Sequence, residues 1–125
     1  MFKDTNAFSG FSVDDLDRAK QFYGETLGLG LSENPAGLEL LLGNDTRVFV
    51  YPKGNHEPAT FTILNFMVES VEQAVDELTA AGVSFERYDG IEQDEKGISR
   101  ASDGPVIAWF KDPAGNILSV LEQPA

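Results

Sequence analysis

Residues 55 positions apart match in chemistry along much of this chain: Phe11 with Phe66, Val13 with Val68, Leu16 with Val71, Ala19 with Ala74, and Tyr23 with Leu78. Such self-similarity is the mark of a supersecondary unit built twice, and it restricts the fold to those that a duplicated module can make. Each copy opens with an alternating apolar strand, 7–13 and 61–68, whose period of two predicts one covered face and one other face.

A helix is predicted after each strand. In the first copy Asp14 or Asp15 can cap, and Leu16, Ala19, Phe22, Tyr23 and Leu27 share one side. In the second, Ser70 caps with Gln73 three residues on, and Val71, Ala74, Val75 and Leu78 form the stripe. Gly28 and Gly82 stop the two helices. Short strands follow between turn residues: 30–33, 37–42 and 46–51 in the first half, and 83–88, 98–102, 106–111 and 117–122 in the second. The second half holds one segment more than the first, which leaves its middle pairing open. Strand, helix, then several strands reads as α+β, with helices covering one face of a mainly antiparallel sheet. The joint KGNHEPA, 53–59, contains no low-complexity linker, so the expectation is a single domain over 1–125, built of two modules of about 1–55 and 60–125.

The charge balance narrows the partners. With 21 acidic residues against 9 basic ones, the net charge of -12 repels a phosphate backbone and an anionic membrane surface alike, so no nucleic acid and no membrane partner is expected. The chain has no cysteine, which removes disulfides, thiol nucleophiles and thiolate metal sites. No run approaches the ~20 apolar residues that span a bilayer, and the N-terminal stretch is polar from its third residue. A cytoplasmic protein is the expectation.

The opening stretch FSVDDLDRAKQFYGETLGL and the closing stretch WFKDPAGNILSVLEQ, set on a duplicated strand-helix-strand-strand-strand module, resemble the vicinal oxygen chelate superfamily, also called the glyoxalase, bleomycin-resistance and extradiol dioxygenase fold. The resemblance covers nearly the whole chain. It implies two βαβββ modules whose curled, mixed and mainly antiparallel sheet makes a concave cup with helices on the outer face, and it implies a homodimer.

The superfamily's metal enzymes carry a histidine at the start of the first strand, an acid or similar ligand late in the first module, a histidine early in the second and a glutamate near the end. Carried over by the motifs, these places fall on Phe8, Phe49, Ile63 and Ser119. A phenyl ring, a branched alkyl chain and a neutral hydroxyl cannot supply the converging oxygen or nitrogen ligands that a divalent ion needs. The expectation is therefore no metal and no cofactor, and the family's Lewis-acid chemistry is argued against. His56 is the only histidine, and Glu39 and Glu122 are the acids within strands that could turn inward, although alternation puts Glu122 on the face opposite Ser119.

If the former ligand places face the cup, period-two geometry sends Phe8, Gly10 and Ser12 inward from one copy and Ile63, Asn65 and Met67 from the other. Phe11, Val13, Leu64, Phe66 and Val68 then meet the helices. The expected lining is Phe8, Gly10, Ser12, Phe49, Ile63, Asn65, Met67, Trp109 and Ser119, mostly apolar with a few polar handles, which suits a small organic ligand. The same residues admit plainer roles. Phe8, Phe49 and Ile63 can fill the cup as core, Met67 can fill a gap, and Trp109 and Tyr51 can be ordinary packing. Arg100 reads as a surface ion pair or part of a lid, His56 as exposed, and DGIEQDEK as a solvated loop.

The function expected from this is metal-independent binding of a small apolar or aromatic molecule in the cup, as in the bleomycin-resistance branch. The alternative is a glyoxalase-like lyase, isomerase or dioxygenase with a non-standard metal or with acid–base chemistry by groups such as Glu39 and His56. No catalytic residue is identified from the sequence.

Overall fold

The computed structural model describes residues 1–122; residues 123–125, which close the second expected module, lie outside the described residues. The chain divides into two compact units, Met1–Glu57 and a second that begins at Pro58.

The first unit runs β1 (Ser9–Val13), α1 (Leu16–Gln21), β2 (Gly30–Asn34), β3 (Gly37–Leu41) and β4 (Arg47–Pro52). Its sheet has the order β1-β4-β3-β2, with β1 parallel to β4 and the other neighbours antiparallel. Asp15 is the N-cap of α1, its Oδ1 accepting from the Arg18 amide at 3.1 Å. After Gln21 the helix widens into a single π-type turn, Phe22–Thr26, closed by the Leu27 amide on the Phe22 carbonyl at 2.9 Å. The widened turn belongs to the buried side of the helix: Tyr23 is fully buried and its ring meets Phe11 at 5.9 Å and Phe22 at 5.1 Å. With Val13, Ala19, Leu38, Leu40, Val48 and Val50 it forms the core of this unit. Each large apolar side chain buried in this way contributes about 1.5–3 kcal/mol.

The second unit repeats the plan with β5 (Thr62–Val68), α2 (Val71–Ala80), β6 (Ile107–Lys111) and β7 (Ile117–Glu122). The order is β5-β7-β6, β5 parallel to β7 and β6 antiparallel to it. Ser70 caps α2, accepting from the Gln73 amide at 3.1 Å, and the Glu122 carboxylate at the end of β7 accepts from the Val71 amide at 3.1 Å. That bond puts Glu122 on the helix side, the face opposite Ser119 as the alternation requires. Val71, Val75, Ala108, Phe110, Leu118 and Val120 are the core beneath the helix.

The DPAGN turn has a local cause. Asp112 is buried and its Oδ1 accepts from the amides of Ala114 and Asn116, both at 2.9 Å, while the Asn116 amide group donates to Oδ2 at 3.0 Å. Gly115 sits between them at φ +86°, a backbone conformation that side chains rarely adopt. The turn delivers β7 into the sheet at a set register.

The architecture is α+β, two mixed sheets of four and three strands with a helix on each. Two of the strands expected in the second half are not continuous ladders: 83–88 and 98–102 keep only single bridges, Phe85 to Phe110 and Ser99 to Ile107. The reason lies in the segment between them. Gln93 accepts from the Tyr88 amide at 2.9 Å and donates to the carbonyls of Glu86 and Gly97 at 2.9 and 2.8 Å, taking backbone groups that a ladder would have used.

Candidate functional site

In the first unit the face away from α1 follows from register. Gly10 stands opposite Phe49, Ser12 opposite Tyr51, and Glu39 opposite both Phe49 and Ser32. Phe49 and Tyr51, two apart on β4, stack with centroids 5.7 Å apart at 17°. A Cβ on Gly10 would lie 3.1 Å from the Phe49 carbonyl oxygen and 3.7 Å from its Cδ2, so Gly10 lets the Phe49 side chain close over β1. Phe8, just before β1, is 74% exposed.

Two polar contacts on this face were not legible in the sequence. Ser12 Oγ lies 2.6 Å from His56 Nδ1. His56 is thus partly buried and hydrogen-bonded to a strand rather than exposed in the joint, because the chain turns back after β4, with the Lys53 amide on the Val13 carbonyl at 2.9 Å and the His56 amide on the Lys53 carbonyl at 3.1 Å. Glu39 does face the same side as Phe49, where Arg47 pairs with it at 3.5 Å.

In the second unit the corresponding face carries Asn65 opposite Ser119, Met67 opposite Leu121, and Trp109 opposite Ser119 from the other side. Ser119 is fully buried and its hydroxyl donates to Asn65 Oδ1 at 2.5 Å. Asn65 itself is exposed and Met67 is 66% exposed. Ile63 sits in an irregularity of the β5–β7 register between Thr62 and Leu64.

On that face lies a pocket of about 310 Å³ walled by Phe61, Tyr88, Ile91, Trp109 and Ile117, with Thr60 and Thr62 beside them. The Tyr88 and Trp109 rings meet edge to face, centroids 5.5 Å apart at 82°. The Tyr88 hydroxyl is buried and, among the described residues, has no hydrogen-bond partner. Burial first, and the Glu86 carboxylate second, push its pKa above the ordinary 10.0 of a phenol, so it is protonated at neutral pH.

A larger pocket, about 500 Å³, is formed by the loop residues 90–94 and 98–101. The loop is tied to α2 by ions: Lys96 pairs with Glu72 at 3.2 Å and Asp76 at 2.9 Å, and Arg100 pairs with Asp94 and with Glu72. Arg100 is thus an ion-pair residue. Burial works against the Asp94 carboxylate, but the amides of Ile98 and Lys96 and the Arg100 guanidinium outweigh it and hold its carboxyl below the usual range. The acidic stretch is a loop that is largely exposed, as expected, and is held in shape by these bonds.

Residues 7–120 match the Glyoxalase/Bleomycin resistance protein/Dioxygenase superfamily. The chain belongs to that superfamily. Among curated proteins, none matches the sequence. Solved structures give the same fold at low identity. A genomically encoded fosfomycin resistance protein from Listeria monocytogenes is 12% identical, with a TM-score of 0.73 over 97% of this chain and 94% of that one. Lactoylglutathione lyase from Agrobacterium tumefaciens is 20% identical, with a TM-score of 0.68 over 94% and 93%. An antibiotic-binding protein from a Streptomyces species is 22% identical, with a TM-score of 0.68 over 97% and 98%. At these identities the likeness shows the fold alone.

The superfamily implies a divalent metal, and the residues present do not fit one. The four matched places hold Phe8, Phe49, Ile63 and Ser119, and the hydroxyl of Ser119 is engaged by Asn65. Among the described residues no three of histidine, aspartate and glutamate come together in a way that could hold an ion. Glu39 is ion-paired to Arg47, Glu122 caps α2 on the far face, and His56 bonds Ser12.

The sequence reading missed Tyr88, Phe61, Ile91 and Ile117 as pocket residues. The alternation in 83–88 and 117–122 marks Tyr88 and Ile117 only as strand positions, and Ile91 lies in the acidic stretch, where composition points to solvent.

Proposed function

We propose that this superfamily member binds a small, mostly aromatic or apolar organic molecule without using a metal. The observation that carries the reading is the aromatic pocket of the second unit, where Phe61, Tyr88 and Trp109 offer ring surface beside a sheet. The non-ligating side chains at the four matched places support the metal-independent part. The list of ligand-contacting residues proposed from the sequence, Phe8, Gly10, Ser12, Phe49, Ile63, Asn65, Met67, Trp109 and Ser119, is extended by the pocket residues, and within it Ser119 serves by holding Asn65.

We place the protein in the cytoplasm as a homodimer. Phe8, Phe61 and Met67 are large apolar side chains at least 66% exposed, which supports association. The net charge of -12 speaks against nucleic acid and anionic membranes, and among the described residues no helix is long and apolar enough to cross a bilayer.

The test combines metal analysis of protein purified without chelator with titration of flat aromatic molecules, read by the fluorescence of Trp109, the only tryptophan. Expected are a substoichiometric metal content and saturable quenching that chelator does not change. Stoichiometric bound metal whose removal abolishes binding would overturn the reading.

A second reading, acid–base chemistry of the lyase or isomerase kind, is favoured by one observation, the 2.6 Å contact between Ser12 and His56. Turnover of a carbonyl substrate that is lost in His56→Ala would establish it.

A further inference from the structure

Three aromatic side chains wall the pocket of the second unit, and among the described residues no charged one does. The face of an aromatic ring is negative, so rings gathered about one cavity attract positive charge without carrying a formal charge themselves. The planes of Tyr88 and Trp109 stand at 82° to one another, two sides of a corner, and Phe61, 67% exposed, adds a ring that water reaches.

The surroundings have the same sign. Residues 86–95 hold five acids against Arg87 alone. Asp89 and Glu92 are exposed on either side of Ile91, itself a pocket residue. The cations beside the pocket in the chain are engaged: Arg87 donates to the Asp94 carbonyl at 2.8 Å, and Lys111 pairs with Glu86 at 3.5 Å. With -12 on the chain as a whole, a cation is drawn toward such a cavity and an anion is repelled.

We propose that the pocket takes an organic cation, an N-methylated ammonium carried on an apolar or aromatic body, seated against the rings of Phe61, Tyr88 and Trp109. This rests on the small-molecule reading above and adds the charge and the head group of the ligand. The lining chooses among cations. A metal ion or a primary ammonium needs oxygen atoms to replace its water, and the side chains offer only the hydroxyls of Thr60, Thr62 and Tyr88, the last of them buried. An N-methylated ammonium holds its water loosely and spreads its charge over methyl groups, so it keeps both the attraction to the rings and the apolar contact. A volume of about 310 Å³ is at the small end of ligand cavities and has room for such a head with one ring attached.

The experiment uses the full chain and two probes of one shape, phenyltrimethylammonium and tert-butylbenzene, which differ in charge. Binding is followed by the indole N–H resonance of Trp109, the only tryptophan. A merely apolar pocket favours the neutral probe, which gives up less hydration. Here the cation is expected to bind at least about fivefold tighter, with its N-methyl protons shifted upfield and in nuclear Overhauser contact with the Trp109 ring. Phe61→Leu keeps the wall apolar and removes one ring, and is expected to cut the cation's margin over tert-butylbenzene about threefold. A neutral probe bound as tightly as the cation, or a margin unchanged in Phe61→Leu, overturns the proposal and leaves the small-molecule reading standing. A cation bound without contact to Trp109 overturns it as well, by placing the charge on surface acids. Failure of both probes to bind removes the pocket reading, and this proposal with it.

Discussion

Tyr88→Phe has an unusual expected effect on the ligand-free protein: it should stabilise it. The substitution keeps the ring, and with it the 5.5 Å edge-to-face contact with Trp109, and removes only an oxygen that is buried and unpaired among the described residues. Removing an unsatisfied buried hydroxyl recovers part of its ~1–3 kcal/mol desolvation cost, so a gain of about 1 kcal/mol is the working figure. For a chain of this length that corresponds to roughly 3–5 °C in Tm. Urea unfolding read by Trp109 fluorescence measures it, with circular dichroism as the check that both probes report one transition, since the chain has two units. The pH dependence gives a second, independent sign. The folded-state pKa of Tyr88 is raised above 10.0, so its contribution is intact below that value and is lost as pH rises through the folded pKa. The advantage of the phenylalanine variant should therefore widen above pH ~10. A loss of 1 kcal/mol or more on substitution at neutral pH, on the scale of a broken hydrogen bond, would refute the reasoning by showing that the hydroxyl has a partner in solution.

Gly37→Ala is expected to be among the most damaging changes in the first unit, because a Cβ there would stand 2.2 Å from the Val50 carbonyl oxygen; a loss of at least about 2 kcal/mol in urea unfolding is expected. Asp94→Asn should loosen the loop, seen as faster hydrogen exchange at the Lys96 and Ile98 amides, which its Oδ1 accepts at 2.9 Å, with β5 and β7 unchanged. Because the folded pKa of Asp94 lies below its ordinary 3.8, its contribution is present above that pH and is lost as pH falls through the folded pKa, so wild type and Asp94→Asn should converge in stability under strong acid.

Local chemistry was enough for much of the frame. The 55-residue offset announced a module made twice, and Asp15, Ser70 and the DPAGN turn act where they were expected because a cap or turn needs only neighbours in the chain. Alternation likewise separates Val13, which meets the core, from Ser12 on the other face. Segments 83–88 and 98–102 read as strands for the same reason, yet they keep one bridge each, since Gln93 reaches across to Tyr88, Glu86 and Gly97 and competes for their backbone groups.

Which side chains meet across long sequence gaps was beyond any local pattern. His56 approaches Ser12 across 44 positions, Ser119 gives its proton to Asn65 across 54, and Glu122 caps a helix that starts 51 residues earlier. The sequence by itself determined the duplicated α+β plan, the caps and the faces, because propensity and periodicity act between near neighbours. Only the tertiary structure decided that Tyr88 stands against Trp109 with its hydroxyl buried and, among the described residues, without a partner, because that depends on how a loop and a strand end pack together, and no spacing in the chain encodes it.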